Sequence, residues 1–181
     1  MKRLLSLVVL VLAAVPVFAQ DAPQKPKPVT MKDLLLQELH ETHNQKNWFV
    51  SVKDATAGLT AEQSTFVQGK GNHSPGQLLY HMTFWNSQAL IQLKGEKPPK
   101  FDGNNDETFT KYDPKNWDAT LKQFDDDMTA IEKIVEGADD AKLAKIASTL
   151  SRIAEHNAYH TGEIVAMRKL QGSWNPDQGV K

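Results

Sequence analysis

The chain has 181 residues, room for one domain with one sizeable core and therefore for a single site. Hydrophobic residues make up 40% and charged residues 24%, the balance of a soluble globular protein rather than a disordered or membrane-spanning one. Formal net charge is -1 and no stretch concentrates Lys and Arg beside aromatics, so the counterion release that drives nucleic-acid binding has no source, and no nucleic-acid partner is expected.

The N-terminus differs in kind from the rest. Met1, Lys2 and Arg3 form a basic start, Leu4 to Val15 is an apolar run, and Val17, Phe18 and Ala19 offer small residues at two positions that a signal peptidase reads. Residues 1–19 are expected to be a signal peptide, because the apolar run is shorter than the roughly 20 residues that a membrane-crossing helix needs. No membrane span is expected after cleavage, and the protein is expected to be exported, periplasmic or extracellular. Loss of Lys2 and Arg3 leaves 19 basic against 22 acidic residues. The absence of cysteine excludes disulfides, thiolate nucleophiles and sulfur-ligated zinc, so any metal must be held by nitrogen and oxygen. Residues 20–30 carry Pro23, Pro26 and Pro28 and read as a Pro-rich linker.

From Met31 the pattern turns helical. Leu35, Leu39, Thr42, His43 and Lys46 share one stripe, which predicts a first helix to about Asp54. Thr60 with Gln63 is a capping-box signature for a short segment, and Gly69 and Gly71 break the chain. Ser74, Pro75 and Gln77 announce a second helix that ends near Gly95, with Leu78, Met82, Trp85 and Ala89 on its apolar face and His81 at the edge of that face. Residues 97–105, with two prolines and a glycine, predict a surface crossing. A third helix starts at Asp113 and Pro114 and carries Leu121, Phe124, Met128, Ile131 and Val135 up to Gly137. Its run Asp125, Asp126 and Asp127 lacks the glycine-kinked loop of a calcium site and reads as solvated. The fourth helix is predicted from about Ser148 to Gln171, with Gly172 ending it and Ile153, His156, His160, Ile164 and Met167 facing inward. Strand signals are absent, so the fold class is all-α, a four-helix bundle with a longer crossover connection.

The chemistry concentrates on histidine. His156 and His160 are four residues apart, so both project from one face about a turn apart. Burying two imidazoles among Ile153, Ile164 and Met167 is costly unless each nitrogen has a partner, and one metal ion satisfies two at once. His81 lies on the apolar face of another helix and can converge on the same ion. Three protein nitrogens leave a coordination position open for water or substrate. Zinc, nickel, iron and manganese all suit such a nitrogen set. Glu163, three residues beyond His160, can accept a proton from a bound water, hold a ligand imidazole in one tautomer, or face solvent at the rim. Gln77 is already explained as a cap. His43 is expected to be a core histidine bonded to a backbone carbonyl, a hydrogen-bonding neighbour of the site, or a fourth ligand. His40 and His73 read as surface residues, and Tyr159 and Trp85 as packing or pocket-lining aromatics.

The segments HSPGQLLYHMTFW (residues 73–85) and EHNAYHTGEIVAMRKLQGSW (residues 155–174) resemble the two signature helices of the DinB-like superfamily, which includes the YfiT-type metalloenzymes. The resemblance spans residues 31–176 and implies a four-helix bundle, often a homodimer, whose divalent metal is held by His81, His156 and His160. Some relatives transfer low-molecular-weight thiols or isomerise maleylpyruvate with a thiol cofactor, others are only assigned as metal-dependent hydrolases, and many have no known activity. Export would remove this chain from the reduced thiols of the cytoplasm, which counts against thiol transfer. The resemblance implies a metal-dependent enzyme of hydrolase or thiol transferase type, with Glu163 as its candidate catalytic residue and a small molecule of unknown identity as substrate. The alternative is a non-catalytic metal-binding or stress-related interaction protein of the same fold.

Overall fold

Most of the helices begin at side chains that satisfy the free N–H groups of the first turn. The computed structural model describes residues 28–179; the expected leader and all but the last three residues of the linker lie outside them. Helix α1, Met31–His43, opens on a capping box in which Thr30 accepts from Asp33 N and the Asp33 carboxylate accepts from Thr30 N at 3.0 Å. It stops at His43, eleven residues short of Asp54. Asn44, Gln45 and Asn47 follow within four residues, and amide side chains compete with the helix for backbone groups. The Asn47 side chain bonds Glu41, its N–H bonds Phe49 O, and Lys46 faces solvent instead of the core. Helix α2, Val52–Thr56, restarts from a Ser51 cap and brings Val52 and Ala55 inward.

The Thr60–Gln63 capping box is present and opens a single 3-10 turn over residues 63–65. Helix α3, Pro75–Leu93, starts on the expected Ser74–Gln77 box. The crossing after it is not all loop: it contains a one-turn helix α4, Glu107–Thr110. The crossover is docked on α3 through Gly76, because any Cβ there would stand 2.3 Å from the Tyr112 ring. Tyr112 also meets Ser64 Oγ at 2.6 Å. Helix α5 spans Trp117–Glu136 and α6 spans Asp140–Gln171. The last helix begins eight residues before Ser148. Asp139 caps it by accepting from Lys142 N at 2.8 Å, and nothing from Asp140 to Ala147 breaks a helix, while Leu143 is buried. Gly172 ends it in the left-handed conformation, φ 79°, which costs glycine nothing.

Among the long helices, α3 packs on α5 and α6, and α1 packs on the same two, so the four close a ring. Leu39, Leu79, Met82, Met128, Ile131, Leu150 and Ile164 fill its interior. No strand occurs among the described residues, and the fold is all-α.

Two buried charges tie the ring together. Arg168 donates from Nη1 to the carbonyls of Ala55 and Ala57 at 2.7 and 3.1 Å and from Nη2 to Ser173 O at 2.8 Å, so its planar fork satisfies the carbonyls that end α2. His43 faces α5 and is not part of the histidine cluster. Its Nδ1 lies 2.8 Å from Glu132 Oε1 and its Nε2 2.9 Å from Asp125 Oδ1, carboxylates rather than the expected backbone carbonyl. The aspartate run is accordingly not wholly solvated: Asp125 meets His43, and Asp127 is buried, accepting from Gln123 Nε2 at 2.8 Å and from Ser87 Oγ.

Burial pushes the His43 imidazole down, but Glu132 and then Asp125 outweigh it, and its pKa stands above the ordinary 6.5. The ion pair therefore contributes stability in full below pH 6.5 and loses it as pH rises through the raised folded value. His40 Nε2, 3.8 Å from Glu132 Oε2, adds to the same network. Urea unfolding of His43→Gln is expected to show a loss of about 2 kcal/mol at pH 6, shrinking toward pH 9 as the wild type gives up its own pair. A wild-type-to-variant difference that grows with pH would contradict this sign.

Candidate metal centre

Helix α3 supplies His81 and α6 supplies His156 and His160, one turn apart. The structure brings all three together: one ring nitrogen or other from each lies within 4.8 Å of the other two. His81 Nε2 and His156 Nε2 are 3.0 Å apart, and the ring centroids are separated by 4.6 to 5.0 Å. His81 is 4% and His160 8% exposed, while His156 is half-buried on the side open to solvent.

The partners of the opposite ring nitrogens decide which nitrogen keeps a lone pair. The Thr108 hydroxyl donates to Asn105 O at 2.6 Å, so its oxygen accepts from His81 Nδ1–H, also at 2.6 Å. That leaves His81 Nε2 bare. Glu163 Oε2 accepts from His160 Nδ1–H at 2.6 Å, which leaves His160 Nε2 free to donate its lone pair. His81 is pushed down to about 3, by burial first and then by His160, His156 and His73. Burial and then His160 push His156 down to about 4. Both rings are neutral at pH 7, the form a metal ligand must have. The donor set therefore fits a divalent ion of the nitrogen-preferring kind.

Helix α4 contributes more than Thr108. The Phe109 ring stacks on His81 at 3.8 Å and 9°, and His73 stacks on the opposite face of Phe109 at 3.9 Å and 18°. His73 is thus half-buried in a three-ring stack, not a surface residue. Sequence reasoning missed Thr108 and Phe109 because four residues are too few to show a period. It also missed Asn86 and Asn157, buried at the contact of α3 with α6, where Asn86 Nδ2 donates to Asn157 Oδ1 at 3.2 Å and ties together the two helices that carry the histidines. Gln77 serves only its cap. Tyr159 stands exposed beside His160, its ring centroid 5.0 Å away.

A cleft of about 580 Å³ opens from His81 and His156 along the groove between α3 and α6. Trp85, expected as packing or lining, lines it and donates from Nε1 to Asn105 Oδ1 at 3.3 Å. Because Thr108 fixes the His81 tautomer, Thr108→Val is expected to weaken divalent-ion binding by about tenfold, read by competition with a chelating indicator. Long-range proton–nitrogen spectra of the metal-free variant are expected to lose the Nδ1–H preference at His81; an unchanged tautomer and affinity would remove Thr108 from the site.

No curated protein and no solved structure matches this chain. A sequence model described as the DinB superfamily matches residues 51–164. The match runs from the start of α2 into α6 and takes in His81, His156, His160 and Glu163, with α1 outside it. With well over half of its length covered, and with three convergent histidines on α3 and α6, the chain belongs to the DinB superfamily.

Proposed function

We propose that the protein is an exported metal-dependent enzyme of hydrolase type that acts on a small molecule in the cleft between α3 and α6. The observation that carries this reading is a buried three-histidine cluster with two tautomers fixed from behind, opening on a cleft of about 580 Å³. His81, His156 and His160 would hold the ion, and zinc, nickel, iron and manganese all suit three imidazoles. A bound divalent ion supplies Lewis acidity at the inner end of the cleft. Thr108 and Phe109 orient the His81 ring, and Glu163 orients His160 and stabilises the proton on its Nδ1. The half-exposed Glu163 carboxylate is also the candidate proton acceptor. Export rests on the basic, apolar and small-residue pattern of residues 1–19. No helix among the described residues is long and apolar enough to cross a membrane.

One observation favours a second reading, a metal-binding protein without turnover. Among the described residues lining the cleft there is no carboxylate, and the two imidazoles there are both members of the cluster. The two readings part on Glu163→Gln. An amide oxygen still accepts from His160 Nδ1–H but cannot take up a proton, so the enzyme reading expects retained metal and at least about a hundredfold slower hydrolysis of a model ester. Loss of metal together with activity would make Glu163 a positioning residue, and a wild type inert toward esters and amides with every metal would favour the second reading.

Elemental analysis of tag-free protein is expected to find one divalent ion per chain. His156→Ala and His160→Ala should lose most of it, and His40→Ala should keep it; equal loss in all three would mean adventitious binding. N-terminal sequencing of natively expressed protein is expected to begin near Gln20, and a retained Met1 would refute export.

A further inference from the structure

The sequence holds eighteen lysines and three arginines, so most of the positive charge in this chain is carried by lysine. Two arginines, Arg152 and Arg168, fall among the described residues, and each has a distinct place. Arg168 is the buried clamp on the α2 carbonyls. Arg152 is exposed and lines the same cleft as His81 and His156. It lies four residues before His156 on α6, one turn or about 6 Å along the helix axis, on the same face as Thr149 and Ile153. Glu155, the carboxylate one turn along the helix, accepts from Ser151 Oγ at 3.2 Å and is not among the residues lining the cleft.

The electrostatics of the cleft are one-sided. Its lining comprises aromatic, aliphatic and neutral polar side chains, the imidazoles of His81 and His156, and one guanidinium, with no carboxylate among the described residues. Neutral imidazoles do not offset the charge of a divalent ion and the single Glu163 carboxylate behind His160 offsets part of it, so the histidine end of the loaded cleft stays positive and Arg152 adds a second positive charge. Elsewhere in the lining Asn86, Gln92, Asn105 and Thr149 offer hydrogen bonds without charge, and Trp85 and Ile153 offer apolar surface.

We infer that this cleft selects a small organic carboxylate, whose reacting group sits at the histidine cluster and whose carboxylate is paired by Arg152. A guanidinium presents two parallel N–H donors that match a carboxylate, and a single one in the cleft matches a monoanionic group better than a phosphate dianion. Arg152 is thus the specificity-determining residue, and the spacing of Arg152 from His156 sets the length of the substrate. The inference rests on the metal reading of the cluster for the position of the reacting group, but not for the anion contact itself.

The test uses the purified, zinc-loaded protein and monohydroxamates of linear dicarboxylic acids of four, six and eight carbons, each paired with its primary-amide counterpart. Calorimetry is expected to show one chain length at which the acid binds at least about tenfold tighter than the amide. Arg152→Gln should bring that ratio to within about twofold while leaving the amide affinity unchanged, which shows an intact fold and metal site, and Arg152→Lys should recover part of the preference. A ratio near one at every length in the wild type, or the same ratio in Arg152→Gln, overturns the inference, as does a phosphonate-tailed probe that outbinds the carboxylate. A second arm follows the arginine Nε–Hε resonances of metal-free protein titrated with adipate. A saturable shift at Arg152 and none at Arg168 supports the anion contact; no shift at Arg152 overturns it. If hydroxamates with acid and amide tails both fail to bind, the metal reading falls, and the adipate arm alone decides the role of Arg152.

Discussion

Three histidines lie together between α3 and α6, and each brings two ring nitrogens into a region where an unpartnered polar group costs free energy comparable to a lost hydrogen bond. Much of the surrounding structure answers that requirement. Thr108 accepts from one side of His81 and Glu163 from one side of His160, and the nitrogen left over on His81 faces His156. The 3.0 Å separation of His81 Nε2 and His156 Nε2 needs a shared proton or a cation, since two bare lone pairs at that distance repel. One divalent ion held by the three rings would take the place of that proton.

The requirement reaches into the crossover. Thr108 can accept from His81 only while its own proton goes to Asn105 O, so the one-turn α4 has to form for the cluster to have a defined tautomer. Phe109 lies between His81 and His73, and Gly76 lets Tyr112 close against the first turn of α3, which pins the end of the same crossover. Asn105 contributes twice, through its carbonyl to Thr108 and its side chain to Trp85 at the cleft wall. One connecting segment thus joins ligand geometry to cleft shape. On the far side of the ring, His43 with Glu132 and Asp125 fastens α1 to α5, so the charge that stabilises the fold and the neutral imidazoles of the site are kept on separate helix contacts.

The sequence made the two histidine-bearing helices readable because their signals are local and dense. The Ser74–Gln77 box fixed the start of α3, and the three- and four-residue spacings from Ile153 to Met167 gave the inward face of α6, which together brought His81, His156 and His160 to one region. What escaped notice depended on contacts between segments far apart in the chain. Helix α1 stopped at His43 because of amide side chains whose competition with the backbone leaves no periodic mark, and α6 started at Asp140 because a weakly apolar stretch can still be helical when capped. Asp125 and Asp127 looked solvated within an acidic run, yet each answers a partner more than 35 residues away, His43 and Ser87. Thr108 and Phe109 carried no pattern at all, since their importance lies in what they touch.

The cluster joins His81 to His156 across 75 residues of chain. Bringing such distant segments together costs loop-closure entropy that grows only slowly with length but falls due before any contact rewards it. Helix α6 is also the last long element in chain order, so the pair of histidines it carries meets His81 only through a contact between distant parts of the chain. An ion that recognises all three rings binds the finished fold and not the open chain, and so pulls the equilibrium toward the closed ring by mass action. With an ion bound, the three histidines would act as a fastener between α3 and α6, adding to the stability of the closed ring in proportion to the ion's affinity for it.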